Sequence, residues 1–157
     1  MHTWFECKIR YEKTMENGMN KKVTEPYLVD ALSFTEAEAR IIEEMTPFIT
    51  GEFTVSDIKR ANYSELFPSE EESADRWFKW KLIFITLDEK SGAEKKTSTQ
   101  VLVQAADLRD AVKKLDEGMK GTMADYQIGM VSETPLMDVY PYSAAPNDKP
   151  EFDPAKA

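Results

Sequence analysis

An internal repeat constrains this chain more than any other feature. Trp4-Phe5-Glu6-Cys7-Lys8-Ile9-Arg10-Tyr11 aligns with Trp77-Phe78-Lys79-Trp80-Lys81-Leu82-Ile83-Phe84 under the shared pattern Trp-Phe-x-x-Lys-aliphatic-x-aromatic. Further matches follow in the same order. Lys21-Lys22 matches Lys95-Lys96, and Leu28-Val29-Asp30-Ala31 matches Leu102-Val103-Gln104-Ala105. Ala37, Ile41 and Met45 match Ala111, Leu115 and Met119, and Phe53-Thr54-Val55 matches Tyr126-Gln127-Ile128. Glu65-Leu66-Phe67-Pro68 closes the series against Asp138-Val139-Tyr140-Pro141. Ordered matches with only single-residue shifts imply two copies of one structural unit.

Each copy reads as β-β-α-β. Residues 4–13 alternate, with Phe5, Cys7, Ile9 and Tyr11 on one face of a strand. Asn17-Gly18 marks a turn into a second strand over 22–31, which puts Tyr27, Val29 and Ala31 on one face. Pro26 predicts an edge position or a bulge in that strand. Ser33 with Glu36 forms a capping box, and Phe34, Ala37, Ile41, Met45 and Phe48 follow as an apolar stripe limited by Pro47. A strand through Phe53, Val55 and Ile58 comes next, and a short segment, Tyr63 to Phe67, closes the unit. The second copy repeats this with strands over 77–87 and 96–105 and a helix from Asp107 that turns Leu108, Ala111, Val112, Leu115 and Met119 inward. Strands near 125–131 and 136–140 complete it.

The expected fold class is therefore α+β: a tandem duplication of a β-β-α-β unit, antiparallel sheets with one helix per repeat, in a pseudo-two-fold arrangement. The first repeat spans 1–68 and the second 76–142. An acidic linker, 69–75, joins them, and 143–157 reads as a disordered tail containing three prolines.

Charge and composition exclude several classes of function. The 157 residues carry a net charge of −9, of which Glu70, Glu71, Glu72 and Asp75 supply −4, while 76–142 is neutral. Overall acidity opposes long-range attraction to polyanions. No apolar run is long enough to span a membrane, and the N-terminus lacks the pattern of a signal peptide, so the expected compartment is the cytoplasm. One Cys (Cys7) and one His (His2) make neither an internal disulfide nor a structural zinc site. Cys7 reads as a small core residue.

Catalytic signatures are missing. The glycines form no phosphate loop, no G-x-S-x-G elbow is present, and a Ser-His-Asp triad would depend on terminal His2. Glu36, Glu38, Glu43 and Glu44 read as a solvated helix face, and the equivalent pair Glu65 and Asp138 as polar residues at strand edges rather than metal ligands. No enzyme activity, catalytic residue, cofactor or metal is expected.

One constellation carries chemistry. If the first strand of each copy turns Phe5 or Phe78 inward, then Trp4, Lys8 and Arg10, and Trp77, Lys79 and Lys81, lie on the opposite face. An outward indole beside an ammonium suits single-stranded nucleic acid, because the ring stacks on a base and the cation meets phosphate. The competing structural reading buries both indoles at the seam between copies, with lysine stems along their edges. The structural reading is preferred.

Trp4–Tyr11, Val23–Ala31 and Ser33–Arg40 together resemble a domain-of-unknown-function family of short proteins from gut Bacteroidetes and their phages. The resemblance covers nearly the whole chain to about Pro141 and implies no activity and no site residues. Residues and resemblance together lead to one expectation, a non-enzymatic protein-binding or adaptor module of phage or mobile-element origin. Its expected partner is another protein or a second copy of itself, with single-stranded nucleic acid as the alternative.

Overall fold

A computed structural model describes residues 3–122 and 125–141. Among these are eight strands and two helices: β1 (Trp4–Thr14), β2 (Asn20–Asp30), α1 (Phe34–Met45), β3 (Phe53–Ala61), β4 (Glu65–Phe67), β5 (Arg76–Leu87), β6 (Glu94–Ala105), α2 (Leu108–Gly118), β7 (Asp125–Glu133) and β8 (Asp138–Tyr140). The class is α+β, with two largely antiparallel sheets. One compact unit takes the chain up to Ala61 together with the chain from Asp138, and the other takes Asn62–Met137.

In the first unit the strand order is β3-β1-β2-β8. The alternation read from β1 and β2 holds: Phe5, Cys7, Ile9, Tyr27, Val29 and Ala31 are buried together with Ala37, Ile41 and Met45 of α1. In the second unit the order is β4-β6-β5-β7, and Phe78, Trp80, Leu82, Val101, Val103 and Ala105 meet Ala111 and Leu115 of α2. Truncating a fully buried member such as Ile41 or Leu115 to Ala should cost about 2–5 kcal/mol, from lost transfer energy plus a cavity.

Matching details recur in the two units. The β1–β3 register jumps between Lys8 and Ile9, leaving Ser56 as an extra residue, and the β5–β7 register jumps between Lys81 and Leu82, leaving Gly129. A bulge shifts the alternation by one. Val55 and Ile58 therefore both pack against the first core although they are three positions apart. Both helices start on a capping side chain. Ser33 Oγ accepts from Glu36 N–H at 3.1 Å and Asp107 Oδ1 from Asp110 N–H at 2.8 Å. The N3 carboxylates reach back, Glu36 to Leu32 N–H and Asp110 to Ala106 N–H, both at 3.0 Å.

The structure departs from two expectations. The first is the apolar stripe. α1 ends at Met45, ahead of Pro47, so Phe48 lies beyond the helix and is exposed. Phe34, at the first helical position, is also exposed but sets its ring edge-on to Phe5, with centroids 4.9 Å apart, under the Arg60 guanidinium. Leu108 and Val112 of α2 are likewise exposed.

The second departure is topological. The short strands do not join the sheets of the strands that precede them. β4 pairs in parallel with β6 (Glu65↔Val101, Leu66↔Leu102, Phe67↔Val103), and β8 pairs in parallel with β2 (Tyr27↔Asp138, Leu28↔Val139, Val29↔Tyr140). Chain geometry forbids the alternative. β3 and β2 both run antiparallel to β1, so a strand added in parallel to β2 would also be parallel to β3. Parallel neighbours in one sheet need a crossover of about a dozen residues. Only residues 62–64 separate β3 from β4, and only 134–137 separate β7 from β8. Pro26 lies just outside the β8 ladder, where β1 alone pairs with β2, as its edge signal predicts.

The compact units divide after Ala61 and after Met137, because β4 and β8 carry the flanking residues with them. Ser69 N–H donates to Gln104 Oε1 at 2.9 Å, and Lys114 Nζ donates to Ser69 Oγ at 3.0 Å, so the acidic stretch is tied to the second unit. The tail from 143 lies outside the described residues.

Candidate functional site

Each sequence-predicted trio stays together in a row. Trp4, Lys8 and Arg10 lie on the β1 face opposite α1, and Trp77, Lys79 and Lys81 lie on the β5 face opposite α2. The indoles are not presented to solvent, since Trp4 and Trp77 are each 4% exposed. The cations are open to different degrees: Lys8 and Lys79 are half-buried, and Arg10 and Lys81 are exposed. What remains is two short cationic rows without the ring faces on which bases would stack.

Cys7 is fully buried, and burial pushes its thiol up to about 12, reinforced by Glu6, Asp57 and Glu38. A thiol held so far from its thiolate is a packing residue, as read from its strand position. Glu65 and Asp138 open β4 and β8 as exposed residues, and Asp138 Oδ1 accepts from Val139 N–H at 2.8 Å. Among the described residues no three of His, Cys, Asp and Glu are grouped as metal ligands.

A polar cluster that sequence reading missed occupies the first unit. Tyr11 and Tyr27 both donate to Glu25 Oε1, at 2.8 and 3.3 Å, and Lys13 Nζ stands 3.7 Å from Glu25 Oε2. Tyr140 stacks on Tyr27 with centroids 6.1 Å apart. Burial, then the Glu25 hydrogen bond and charge, pushes Tyr11 up to about 12. Burial, then Asp138 and Glu44, does the same for Tyr140. Tyr27 is raised as well, by burial first and Glu25 next. Phe84, Thr99, Val101 and Phe67 stand at the positions that align with Tyr11, Glu25, Tyr27 and Tyr140, and none of them carries a phenol or a carboxylate. Next to it, an open groove of about 710 Å³ between β1 and β3 mixes Arg10 and Lys22 with Glu12 and Glu52 and offers no single sign of charge.

The sheet edges differ in a more telling way. An edge strand presents unpaired N–H and C=O groups, and folded chains usually cover or guard them. β8 covers Tyr27–Val29 of the β2 edge and β4 covers Val101–Val103 of the β6 edge, and the stretches before them carry Lys21, Lys22 and Glu25, and Glu94, Lys95 and Lys96. The β3 edge carries exposed Asp57, Lys59 and Arg60, with Lys59 4.0 Å from Glu6 on one face and Arg60 over Phe5 and Phe34 on the other. Among the described residues no strand covers β7, and apart from the bulge at Gly129 little guards it. Its nine residues are charged only at Asp125 and Glu133, and the run Tyr126–Ser132 holds no charge and no proline. At the positions of Asp57 and Lys59 stand Met130 and Ser132.

Pairing with β5 sets the faces of this edge. Ile128 lies opposite Leu82 on the α2 side, and Met130 lies opposite Lys81 on the other. Each is 48% exposed. Gly129, the bulge residue between them, lets β7 sit close to β5, because a Cβ there would come within 3.0 Å of Ile83 Cδ1. Sequence reading could not find this edge, since which strand ends a sheet follows from strand order.

These features define the class: among the described residues, an α+β protein of two four-stranded, largely antiparallel sheets and two helices, with β8 added in parallel to β2 and β4 in parallel to β6. The chain belongs to the domain of unknown function DUF4494 family, whose profile matches residues 3–142. No curated protein sequence matches it significantly. No helix among the described residues is long and apolar enough to cross a membrane.

Proposed function

We propose that this chain is a non-enzymatic binding module that takes an extended segment of a protein along the open edge of β7. Strand addition satisfies the free backbone groups of an edge and reads alternate side chains on its two faces. The supporting observation is the contrast among the sheet edges of the described residues: β2 and β6 are covered at Tyr27–Val29 and Val101–Val103 and carry charges beyond, β3 is charged along its length, and β7 holds the uncharged run Tyr126–Ser132 beside exposed Ile128 and Met130. In this reading the protein works in the cytoplasm and comes from gut Bacteroidetes or their phages. It arose by tandem duplication of a β-β-α-β unit, which the equivalent bulges at Ser56 and Gly129 and the equivalent caps at Ser33 and Asp107 support.

Capture from a host lysate with the wild-type chain and three folded variants tests the proposal. Ile128→Lys and Met130→Lys place a charge on either face of β7, and Thr54→Lys does the same on β3 as a control. The expected result is a set of proteins retained by wild type and Thr54→Lys and lost by both β7 variants. Equal capture by all four removes the reading.

A further inference from the structure

We infer that β8 is a resident strand on β2, and that a segment of another protein with the same residue pattern, acidic-aliphatic-aromatic-proline, replaces it there. The site lies on the first sheet and does not depend on the role given to β7.

The kind of strand that fits is visible twice. Glu65-Leu66-Phe67-Pro68 and Asp138-Val139-Tyr140-Pro141 share one pattern. Each lies in parallel on the long strand that precedes a helix, β4 on β6 and β8 on β2. On β2 every position of the pattern has a task. Asp138 Oδ1 accepts from Val139 N–H at 2.8 Å, so the acidic residue occupies a donor of its own strand. Val139 is buried, at 9% exposure. The Tyr140 ring stacks on Tyr27, with centroids 6.1 Å apart and planes 22° from parallel. Pro141 has no N–H with which to continue the ladder, and Arg40 Nη2 donates to its carbonyl at 3.2 Å. In strand addition the main chain supplies affinity and the side-chain seats supply selectivity.

The two short strands are held differently. β4 is anchored on both flanks. Ser64 N–H donates to the Gln100 carbonyl and Thr99 Oγ1 to Ser64 Oγ, both at 2.8 Å, while Ser69 N–H donates to Gln104 Oε1 and Lys114 Nζ to Ser69 and Glu71. Before β8 the bonds of 134–137 go to the Trp77 carbonyl and within the link itself. The buried members of the first core all come from β1, β2, α1 and Ala31, and Tyr140 only leans on them. β8 therefore leaves β2 without emptying that core. As a tethered strand it competes at a local concentration on the order of millimolar, so a free segment meets a site reduced by the closed fraction.

Fluorescence anisotropy of a labelled synthetic peptide with the sequence of residues 137–141, titrated with the full chain, tests this. Val139→Ser and Tyr140→Ala each loosen β8 and leave Tyr27 and Arg40 in place. Both variants should bind the peptide roughly tenfold or more tightly than wild type does, as a larger open fraction requires. An unlabelled peptide of residues 64–68 should compete, and a scrambled peptide should not. Circular dichroism checks each variant, and loss of fold in one leaves the other to decide. Folded variants that bind no better than wild type, or that bind the scrambled peptide equally well, overturn the inference. Unfolding of both variants overturns it as well, since β8 would then be part of the core rather than a resident of its edge.

Discussion

Lys114 Nζ lies 2.9 Å from Glu71 Oε1, and this contact turns an acidic stretch that reads as a loose linker into a strap across α2. The same ammonium meets Asp110 Oδ2 at 2.9 Å and Ser69 Oγ at 3.0 Å. Arg40 stands at the matching place on α1, where it donates to the Asp30 and Pro141 carbonyls. One basic residue on each helix thus pins the segment that follows a short strand. Lys114→Met should free residues 69–72, raising the rate of cleavage after Glu70–Glu72 by a glutamate-specific protease several-fold while the far-ultraviolet spectrum is unchanged. An unchanged cleavage rate would mean that the Ser69–Gln104 contact holds the strap alone.

Gly118 lets β4 seat against α2. A Cβ there would lie 2.9 Å from two ring carbons of Phe67, closer than packed atoms approach. Gly118→Ala should therefore force the ring to shift, at about 1–3 kcal/mol for overpacking, offset by at most about 1 kcal/mol of helix propensity. The net expectation is destabilisation of roughly 1 kcal/mol, or a few degrees in Tm. A rise in Tm would show that Phe67 can move aside freely.

The phenols of the first unit set an alkaline limit. Tyr11 and Tyr140 are raised from 10.0 to about 12, and Tyr27 is raised too, so the folded state holds these protons more tightly than the unfolded state. Their contribution is fully present below the unfolded value and is lost as pH rises through the folded one, a window from about 10 to 12. Absorbance at 295 nm should show several tyrosines titrating late and together with unfolding. Tyr11→Phe should remove one late titration and narrow the window. Six tyrosines titrating near 10 with the fold intact would contradict the Glu25 cluster.

Burial of Trp4 and Trp77 speaks against base stacking on them, and a titration tests the nucleic-acid reading. Titration with a short poly-dT oligonucleotide at low salt, where electrostatic binding is strongest, should leave indole emission unquenched. Saturable quenching that weakens with salt and disappears in a folded Trp4→Phe/Trp77→Phe variant would restore stacking on those residues.

Much of each unit was legible because local patterns decide it. Period-two burial on β1 and β5, the caps at Ser33 and Asp107, and the stop before Pro47 all act over a few residues. The destination of β4 and β8 was harder, although the three- and four-residue links before them already exclude a return to their own sheets. The Tyr11–Glu25–Tyr27–Tyr140 cluster joins β1, β2 and β8, so it becomes visible only once β8 is placed. The open edge depends on strand order. The sequence carried a trace of it in the replacement of Asp57 and Lys59 by Met130 and Ser132, a difference that has meaning only for a strand at the end of a sheet.

Residue-resolved amide exchange in dilute protein tests the open edge most directly. Tyr27–Val29 of β2 and Val101–Val103 of β6, bonded on both sides, should be uniformly protected. Along Tyr126–Ser132 only the amides turned toward β5 should be slow, with those between them exchanging near the rate of free chain and slowing once a partner strand is bound. Uniform protection of β7 in the dilute monomer would contradict an edge left open for a partner.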